Sequence, residues 1–465
     1  MNIISLFYPI LQDINQTLLQ NPYFYELESK IKDVGQTLTI EMLKQYLEAI
    51  DKKYKNSKER KDIYYVQCTR KRTLITSIGL VTFNKTYYKS KRKINGKYEF
   101  FSFIEEILGL EKWAKMSINA EVDLVNMALD VNTSYAAANA IPNYPISRQA
   151  VSTKINKLKF NLDLEIKKSS ITPEVIYIEA DEAHVNLQKK RNKIVPNILI
   201  HEGHKETYKN KRKELLNKFY ISSSKLKVSV LWNEVYKYLD TKYNIDNIKY
   251  IFVSGDGAKW IRSYVDTLPN AIFVFDKFHY KKALNSIFSR NQLYIKLADD
   301  YLRNNKIHEF NDLVNIMVNL KPDRFDKIIK NRNLLLRNID GIINQDHPMY
   351  KTPCSMEGHI SHNLASHLTS RPKGYSLDGL ENTVQLLTMK ANGISLDVET
   401  YLRFKHALPI YKILNDDNSF SYNIPKDTFN KNKYIDLTYN IPILVYKNSG
   451  TRTLINKVIY SKKNY

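Results

Sequence analysis

Three apolar runs that each end in an acidic residue constrain this chain more than any other feature. The first run, VIYIEADEAHV over Val175–Val185, carries Asp181, and the runs IFVSGDG and AIFVFDKFH lead to Asp256 and Asp276. Short runs rich in β-branched residues predict buried strands. Carboxylates rarely end buried strands without a positive partner, so the pattern indicates a divalent metal site.

The order of the predicted elements indicates a fold. We predict strands at 175–187, 193–201, 218–223, 248–255 and 271–276, and helices at 225–243, from Trp260 and from Tyr280. Three consecutive strands followed by alternating helices and strands predict an α/β, ribonuclease-H-like mixed sheet with helices on both faces. Its first and fourth strands lie side by side, so Asp181 and Asp256 are expected to meet although they are far apart in sequence.

A third acid is expected beyond a helical insertion. Residues 291–345 form a run of charged helical segments that is too long for a loop. The segment SMEGHISHNLASHLTSRPKG that follows predicts a helix with Glu357, Ser361 and Leu364 on one face. Glu357 is therefore the candidate third acid, and Glu381, which has more apolar neighbours, is its rival.

Three carboxylates and a pair of Mg²⁺ or Mn²⁺ ions suit phosphodiester cleavage and strand transfer. One metal lowers the pKa of the attacking water or 3′-hydroxyl, and the other stabilises the leaving oxygen. We expect Asp181, Asp256 and Glu357 to be catalytic metal ligands. His279 is expected as a further catalytic residue beside them, in contact with the scissile phosphate or a flipped base, or else as a packing residue at a strand end.

Each acid also has a simpler interpretation. Asp181 and Asp256 would then be turn residues, and Glu357 would be a first-turn acid favoured by the helix dipole. All three acids fall where the predicted order of strands and helices would bring them together, and this favours the metal site.

The charge balance indicates a polyanionic partner, for which double-stranded DNA is the leading candidate. Lys and Arg number 71 against 48 Asp and Glu, a net charge of +23. Between Asp51 and Lys97 there are fifteen Lys or Arg and three acids, interleaved with Tyr and Phe in predicted hairpins. Such hairpins can follow a phosphate backbone. The alternatives are a solvated sheet face and the Lys-rich surface of a protein from an AT-rich genome.

The segment ISRQAVSTKINKL predicts a helix that is capped by Ser147 and presents Arg148, Gln149, Thr153 and Lys154. It resembles the recognition helix of a helix-turn-helix, and a plain packing helix is the alternative.

The domain boundaries predicted from these features are approximate. We predict a helical region over 1–50, a basic DNA-binding region over 51–165, a catalytic domain over 166–393 and a region of unknown role over 394–465, with a hairpin near Ser449. The two distant cysteines fit a reducing compartment, and no apolar run approaches the length of a membrane span. We therefore expect a soluble, cytoplasmic protein without a membrane partner.

Four segments carry a family resemblance: ADEAHVNLQ, GDGAKWI, DKFHYKK and CSMEGHISHNLASHLTSRPKGYS. They resemble the signature blocks of bacterial insertion-sequence transposases of the Lre group, which are counted among uncharacterised protein families and are similar to Mutator-like DDE transposases. The resemblance spans about 69–393. It implies Asp181, Asp256 and Glu357 as the catalytic acids, Asp276 and His279 as the D-x-x-H pair, and a homo-oligomer acting on terminal inverted repeats and target DNA.

Two other classes of protein share parts of this pattern. A ribonuclease-H-like nuclease or resolvase that does not transpose would share the acids without needing the helical insertion. A domesticated, inactive DNA-binding relic would keep the charge and lose acids.

Overall fold

A computed structural model describes residues 23–93, 96–130, 144–160, 168–188, 192–207, 212–369 and 374–406, with a few isolated positions. The described residues divide into two compact units. The first contains those up to Leu124 and those between 141 and 146, and the second contains Val125–Asp130 and the residues from Ser147 to His406. The hairpin predicted near Ser449 lies outside the described residues.

The first unit packs a long helix on a small antiparallel sheet. Its elements are helices α1 (Phe24–Asn56), α2 (Lys58–Ile63) and α3 (Phe103–Ile107), and strands β1 (Tyr64–Thr76), β2 (Gly79–Ser90) and β3 (Phe100–Ser102). Leu47 and Ile50 on α1 are buried in one hydrophobic cluster with Val81 and Phe83 of β2. Helix α4 (Ile118–Asp130) follows.

The second unit is built on a large mixed sheet. Its strands are β4 (Val175–Val185), β5 (Lys193–His201), β6 (His204–Thr207), β7 (Arg212–Leu215), β8 (Phe219–Ser222), β9 (Tyr250–Gly255) and β10 (Ala271–Phe275). Among the described residues, five of them form one sheet in the order β10-β9-β4-β5-β8, while β6 and β7 pair separately. Strand β5 is antiparallel to β4 and β8, and β9 and β10 run parallel to β4. This confirms the predicted α/β sheet, in which β4 and β9 are central neighbours.

Helices of the second unit cover the sheet, and most of them come after its last strand in the sequence. They are α5 (Arg148–Asn156), α6 (Val228–Lys242), α7 (Lys259–Val265), α8 (Lys277–Ile287), α9 (Gln292–Arg303), α10 (Ile307–Leu320), α11 (Phe325–Arg337), α12 (Ile339–Ile343), α13 (Met356–Ile360), α14 (Ser366–Leu368), α15 (Leu377–Ala391) and α16 (Val398–His406). Helices α9 to α12 confirm the predicted helical insertion. A π-helical turn separates α13 from α14. Among the described residues, no helix combines the length and apolar character that crossing a membrane requires.

The two faces of β4 have different neighbours. Ile176, Ile178 and Ala180 belong to the main hydrophobic core, whereas Tyr177 packs in a smaller cluster beside Tyr350. Because side chains alternate along a strand, Glu179 and Asp181 share the face of Tyr177. Both acids therefore face the side of the sheet on which the segment leading to Glu357 lies.

Candidate functional site

Asp181, His279 and Glu357 meet on one side of the large sheet. Each offers one ligand atom, and these atoms lie within 4.8 Å of one another. Asp181 comes from β4, His279 from the first turn of α8 and Glu357 from α13. Three segments that are distant in sequence thus supply one cluster of two carboxylates and an imidazole.

Asp181 is partly buried and surrounded by charge. Burial raises the pKa of its carboxyl from 3.8 to about 6, and the charges of Asp256 and Glu357 add to this rise. A hydrogen bond from the Glu182 N–H to Oδ1, 2.8 Å long, and the nearby His279 act in the opposite direction. Like charges that converge in this way are relieved by a bound cation.

Asp256 is held at the end of β9 by tight local geometry. Its Oδ1 accepts a hydrogen bond from the Ala258 N–H at 2.8 Å. A Cβ on Gly255 would lie 2.9 Å from the Ala180 carbonyl oxygen, and one on Gly257, whose φ is +79°, would lie 2.5 Å from the Asn338 amide. Only glycine fits these two positions. The missing side chain at Gly255 lets the end of β9 lie close to the backbone of β4. Asp256 acts on Asp181 through its charge but is not a member of the 4.8 Å cluster found among the described residues, and its role as a metal ligand stays a prediction.

His279 lies closer to the acids than its strand position alone suggests. Strand β10 is one strand removed from β4, but Asp276 caps α8 by accepting a hydrogen bond from the Phe278 N–H at 3.2 Å. The first helical turn then returns His279 to the cluster, with its Nε2 3.8 Å from Asp276 Oδ2. Burial raises the pKa of Asp276, which is 6% exposed. The structure thus places His279 among the potential ligands instead of merely beside them.

Glu381, the rival third acid, is engaged elsewhere. Its carboxylate accepts hydrogen bonds from the Ser223 hydroxyl, the Ser224 N–H and hydroxyl, and the Gln385 amide, all at 2.6–2.8 Å. It fastens α15 to the segment after β8. This arrangement supports the choice of Glu357, which is exposed on α13 and available to a ligand.

A network around Glu179 was not anticipated from the sequence. Glu179 is 1% exposed and contacts His201 and Ser355 through hydrogen bonds. The signal that could have found it is its spacing, because a residue two positions before Asp181 on a strand faces the same side.

The small sheet of the first unit carries bases beside aromatic rings. Arg70 lies 5.7 Å from the centroid of the Tyr87 ring, Lys89 lies 4.3 Å from that of Tyr98, and Lys91 lies 5.1 Å from that of Tyr65. The predicted basic hairpins therefore do place cations and rings together at the surface.

Two bases of that region are unavailable to an external partner. Arg72 and Lys85 are 8% and 5% exposed, and both pair with the carboxylate of Glu105. They stabilise the interior of the unit and do not add to its surface charge.

Helix α5 in the second unit matches the expected capped helix. The Ser147 hydroxyl accepts a hydrogen bond from the Ala150 N–H at 3.2 Å, and Arg148 and Gln149 are exposed. Its buried face contacts α15, where the Asn382 amide donates to the carbonyls of Ile155 and Leu158. One face is thus packed, and of the residues expected on the other face Arg148 and Gln149 are exposed while Thr153 and Lys154 are partly buried.

Comparison with known proteins places the chain in a family. A family described as an uncharacterised protein family, UPF0236, matches residues 19–402. The chain belongs to the UPF0236 family. Relatives come from Caldanaerobacter subterraneus subsp. tengcongensis. A UPF0236 protein whose name joins TTE0033 with ten further locus names is 28% identical over 82% of this chain and 81% of its own length. The UPF0236 protein TTE2489 is 28% identical over 79% of each chain.

Proposed function

We propose that this protein is a DDE transposase, a metal-dependent enzyme that cleaves DNA at the ends of an insertion sequence and joins those ends to a target. The observation that supports this most is the meeting of Asp181, His279 and Glu357 on a ribonuclease-H-like sheet, with Asp256 at the end of the adjacent strand. The sheet order and the acids suit phosphodiester cleavage, in which carboxylates hold the divalent ions that activate the nucleophile and stabilise the leaving oxygen.

The donor set fits a divalent cation. Carboxylate oxygens suit Mg²⁺ and Mn²⁺, and the imidazole of His279 favours Mn²⁺ over Mg²⁺. Asp181, Glu357 and His279 would hold one ion, and Asp256 with Asp181 would hold a second. Bound there, such ions supply an activated oxygen nucleophile and stabilise the charge on the leaving oxygen.

DNA binding is assigned in this proposal to the basic surface, defined as Arg70, Lys89 and Lys91 with Tyr65 and Tyr98. Lysine and arginine neutralise phosphates, and exposed rings offer stacking surfaces to bases. Tyr65 is 59% exposed and Tyr98 is 43% exposed, so both rings are accessible. The outer face of α5 is a second candidate for DNA contact.

The names of two relatives also support the proposal that the protein moves a DNA element. One relative's name joins eleven locus designations, and another joins four. We interpret a name of this kind as one sequence carried at several loci of a genome. Copying of a mobile element produces that pattern.

The test is cleavage and joining of DNA from the gene's own flanks. The purified protein should nick duplexes that carry the flanking terminal repeats, and should join them to a plasmid, when Mn²⁺ or Mg²⁺ is present. Asp181→Asn should remove both products, whereas Asp240→Asn, which alters an exposed carboxylate on α6, should retain them. Products that persist in EDTA or in Asp181→Asn would overturn the proposal.

Two alternative outcomes identify the rival classes. Metal-dependent cleavage of branched DNA without end joining would indicate a resolvase or other nuclease. Binding of the terminal repeats without any metal-dependent cleavage would indicate an inactive relic.

A further inference from the structure

Glu179 lies in the interior next to the candidate site without belonging to it. It is on β4, two residues before Asp181 and on the same face. Its side chain is almost fully buried, with 1% exposure. A buried carboxylate requires hydrogen-bond donors, and its partners therefore indicate its role.

The donors come from two directions. The Ser355 N–H donates to Oε2 at 2.9 Å, and the Ser355 hydroxyl lies 3.1 Å and 3.3 Å from the two oxygens. On the other side, Oε1 lies 3.2 Å from Nε2 of His201.

The proton on His201 can be assigned from its second nitrogen. The Gly203 N–H donates to Nδ1 at 3.0 Å, so Nδ1 carries no proton. The proton is then on Nε2, and His201 is a donor to Glu179. Among the described residues, the three groups within hydrogen-bonding distance of Glu179 are thus all donors, which suits a carboxylate acceptor.

Ser355 immediately precedes α13. Its carbonyl accepts hydrogen bonds from the N–H groups of Gly358 and His359, which form the first turn of the helix. Glu357 lies in that turn, two residues after Ser355, just as Asp181 lies two residues after Glu179. The contact between Glu179 and Ser355 therefore ties together the two segments that carry Asp181 and Glu357.

We propose that Glu179 is a positioning residue that sets the separation of Asp181 and Glu357 by holding Ser355, with His201 fixing the orientation of its carboxylate. This inference rests on the proposed function, because it assigns Glu179 a role in the metal site described there. Substituting residues that orient metal ligands without contacting the metal commonly changes metal affinity by about ten- to a hundredfold.

The test measures Mn²⁺ binding to the full chain, without DNA, from the electron paramagnetic resonance signal of free Mn²⁺. Glu179→Gln should weaken binding by about ten- to a hundredfold, because a Gln amide would present a donor towards one of three existing donors. Ser355→Ala keeps the backbone N–H and should weaken binding less. Glu234→Gln, a change on α6 at a half-buried side chain that pairs with Lys237, should leave the affinity unchanged.

A double substitution separates positioning from a general structural effect. If Glu179 acts through Glu357, adding Glu179→Gln to Glu357→Gln should weaken Mn²⁺ binding no further. Additive losses, or a Mn²⁺ affinity of either Glu179→Gln or Ser355→Ala within about twofold of the unaltered chain, would overturn the proposal. Because Ser355→Ala removes only a hydroxyl, it provides an answer even if Glu179→Gln fails to fold.

The result also distinguishes the two proposals. The expected Mn²⁺ pattern together with an absence of DNA cleavage would support the role of Glu179 and overturn the transposase assignment. Absence of Mn²⁺ binding by the unaltered chain would overturn the role of Glu179 itself.

Discussion

In the metal-free protein the carboxylate of Asp181 is held at a cost in stability, and an Asn at this position should remove that cost. Burial and the charges of Asp256 and Glu357 raise its pKa from 3.8 to about 6. Asn is similar in size, and its Oδ1 can keep the hydrogen bond from the Glu182 N–H. Asp181→Asn should therefore stabilise the metal-free fold while it removes the proposed cleavage activity.

The pKa gives both the sign and the size of the effect. Between pH 3.8 and about 6 the folded protein holds the Asp181 proton while the unfolded chain releases it. The free energy of unfolding therefore falls as the pH rises through this window, and above it the full penalty remains. A difference of about two pH units corresponds to about 3 kcal/mol, which is the upper bound for the gain at about pH 8. Towards about pH 4 the gain should disappear.

Urea unfolding in EDTA measures this gain. Trp232 is 2% exposed in the core of the second unit, so tryptophan fluorescence reports the loss of that core. The exposed control Asp240→Asn should change the free energy of unfolding by no more than about 0.5 kcal/mol. A destabilised Asp181→Asn at about pH 8, or a gain that does not depend on pH, would refute the reasoning.

Three further predictions concern the remaining site residues and the basic surface. Glu357→Gln should keep the fold and DNA binding but lose Mg²⁺-dependent cleavage. Glu381→Gln should still cleave DNA, but its free energy of unfolding should fall by about 1–3 kcal/mol. The reverse pattern in a cleavage assay would refute the choice of Glu357 as the third acid. His279→Ala should impair cleavage and Mn²⁺ binding more than end binding, and an equal loss of all three would indicate a folding role. Alanine at both Lys89 and Lys91 should reduce by about two the slope of log affinity against log salt in a DNA-binding titration, and an unchanged slope would remove these bases from the interface.

The large sheet could be predicted because its strands are signalled locally. The run over Val175–Val185 begins with apolar, β-branched residues, and the strand continues through Glu179, Asp181 and Glu182 to Val185 instead of ending at the acids. The hairpin of β6 and β7 was missed because His204–Leu215 shows no alternation of apolar and polar residues. Strand β1 runs from Tyr64 to Thr76 through a register irregularity between Val66 and Cys68, which the pattern of apolar residues does not indicate.

The candidate site was only partly predictable, because its contacts depend on packing between distant segments. Strands β4 and β9 are parallel neighbours with Ala180 opposite Gly255, so the approach of Asp256 to Asp181 followed from topology. The position of His279 near the acids depends on where α8 begins. The hydrogen bond between Ser355 and Glu179 joins residues that are 176 positions apart. No periodicity in a single sequence records such a contact.

The central claim is that Asp181, His279 and Glu357 hold the metal that acts on DNA, and anomalous diffraction from Mn²⁺-loaded crystals of the protein tests it most directly. We expect a Mn²⁺ peak within about 2.5 Å of an oxygen of Asp181 and an oxygen of Glu357, with an imidazole nitrogen of His279 as a third ligand. The peak should be lost in crystals of Asp181→Asn. A Mn²⁺ ion bound elsewhere, or a well-ordered cluster that binds none at saturating Mn²⁺, would show that these three residues are not the metal site.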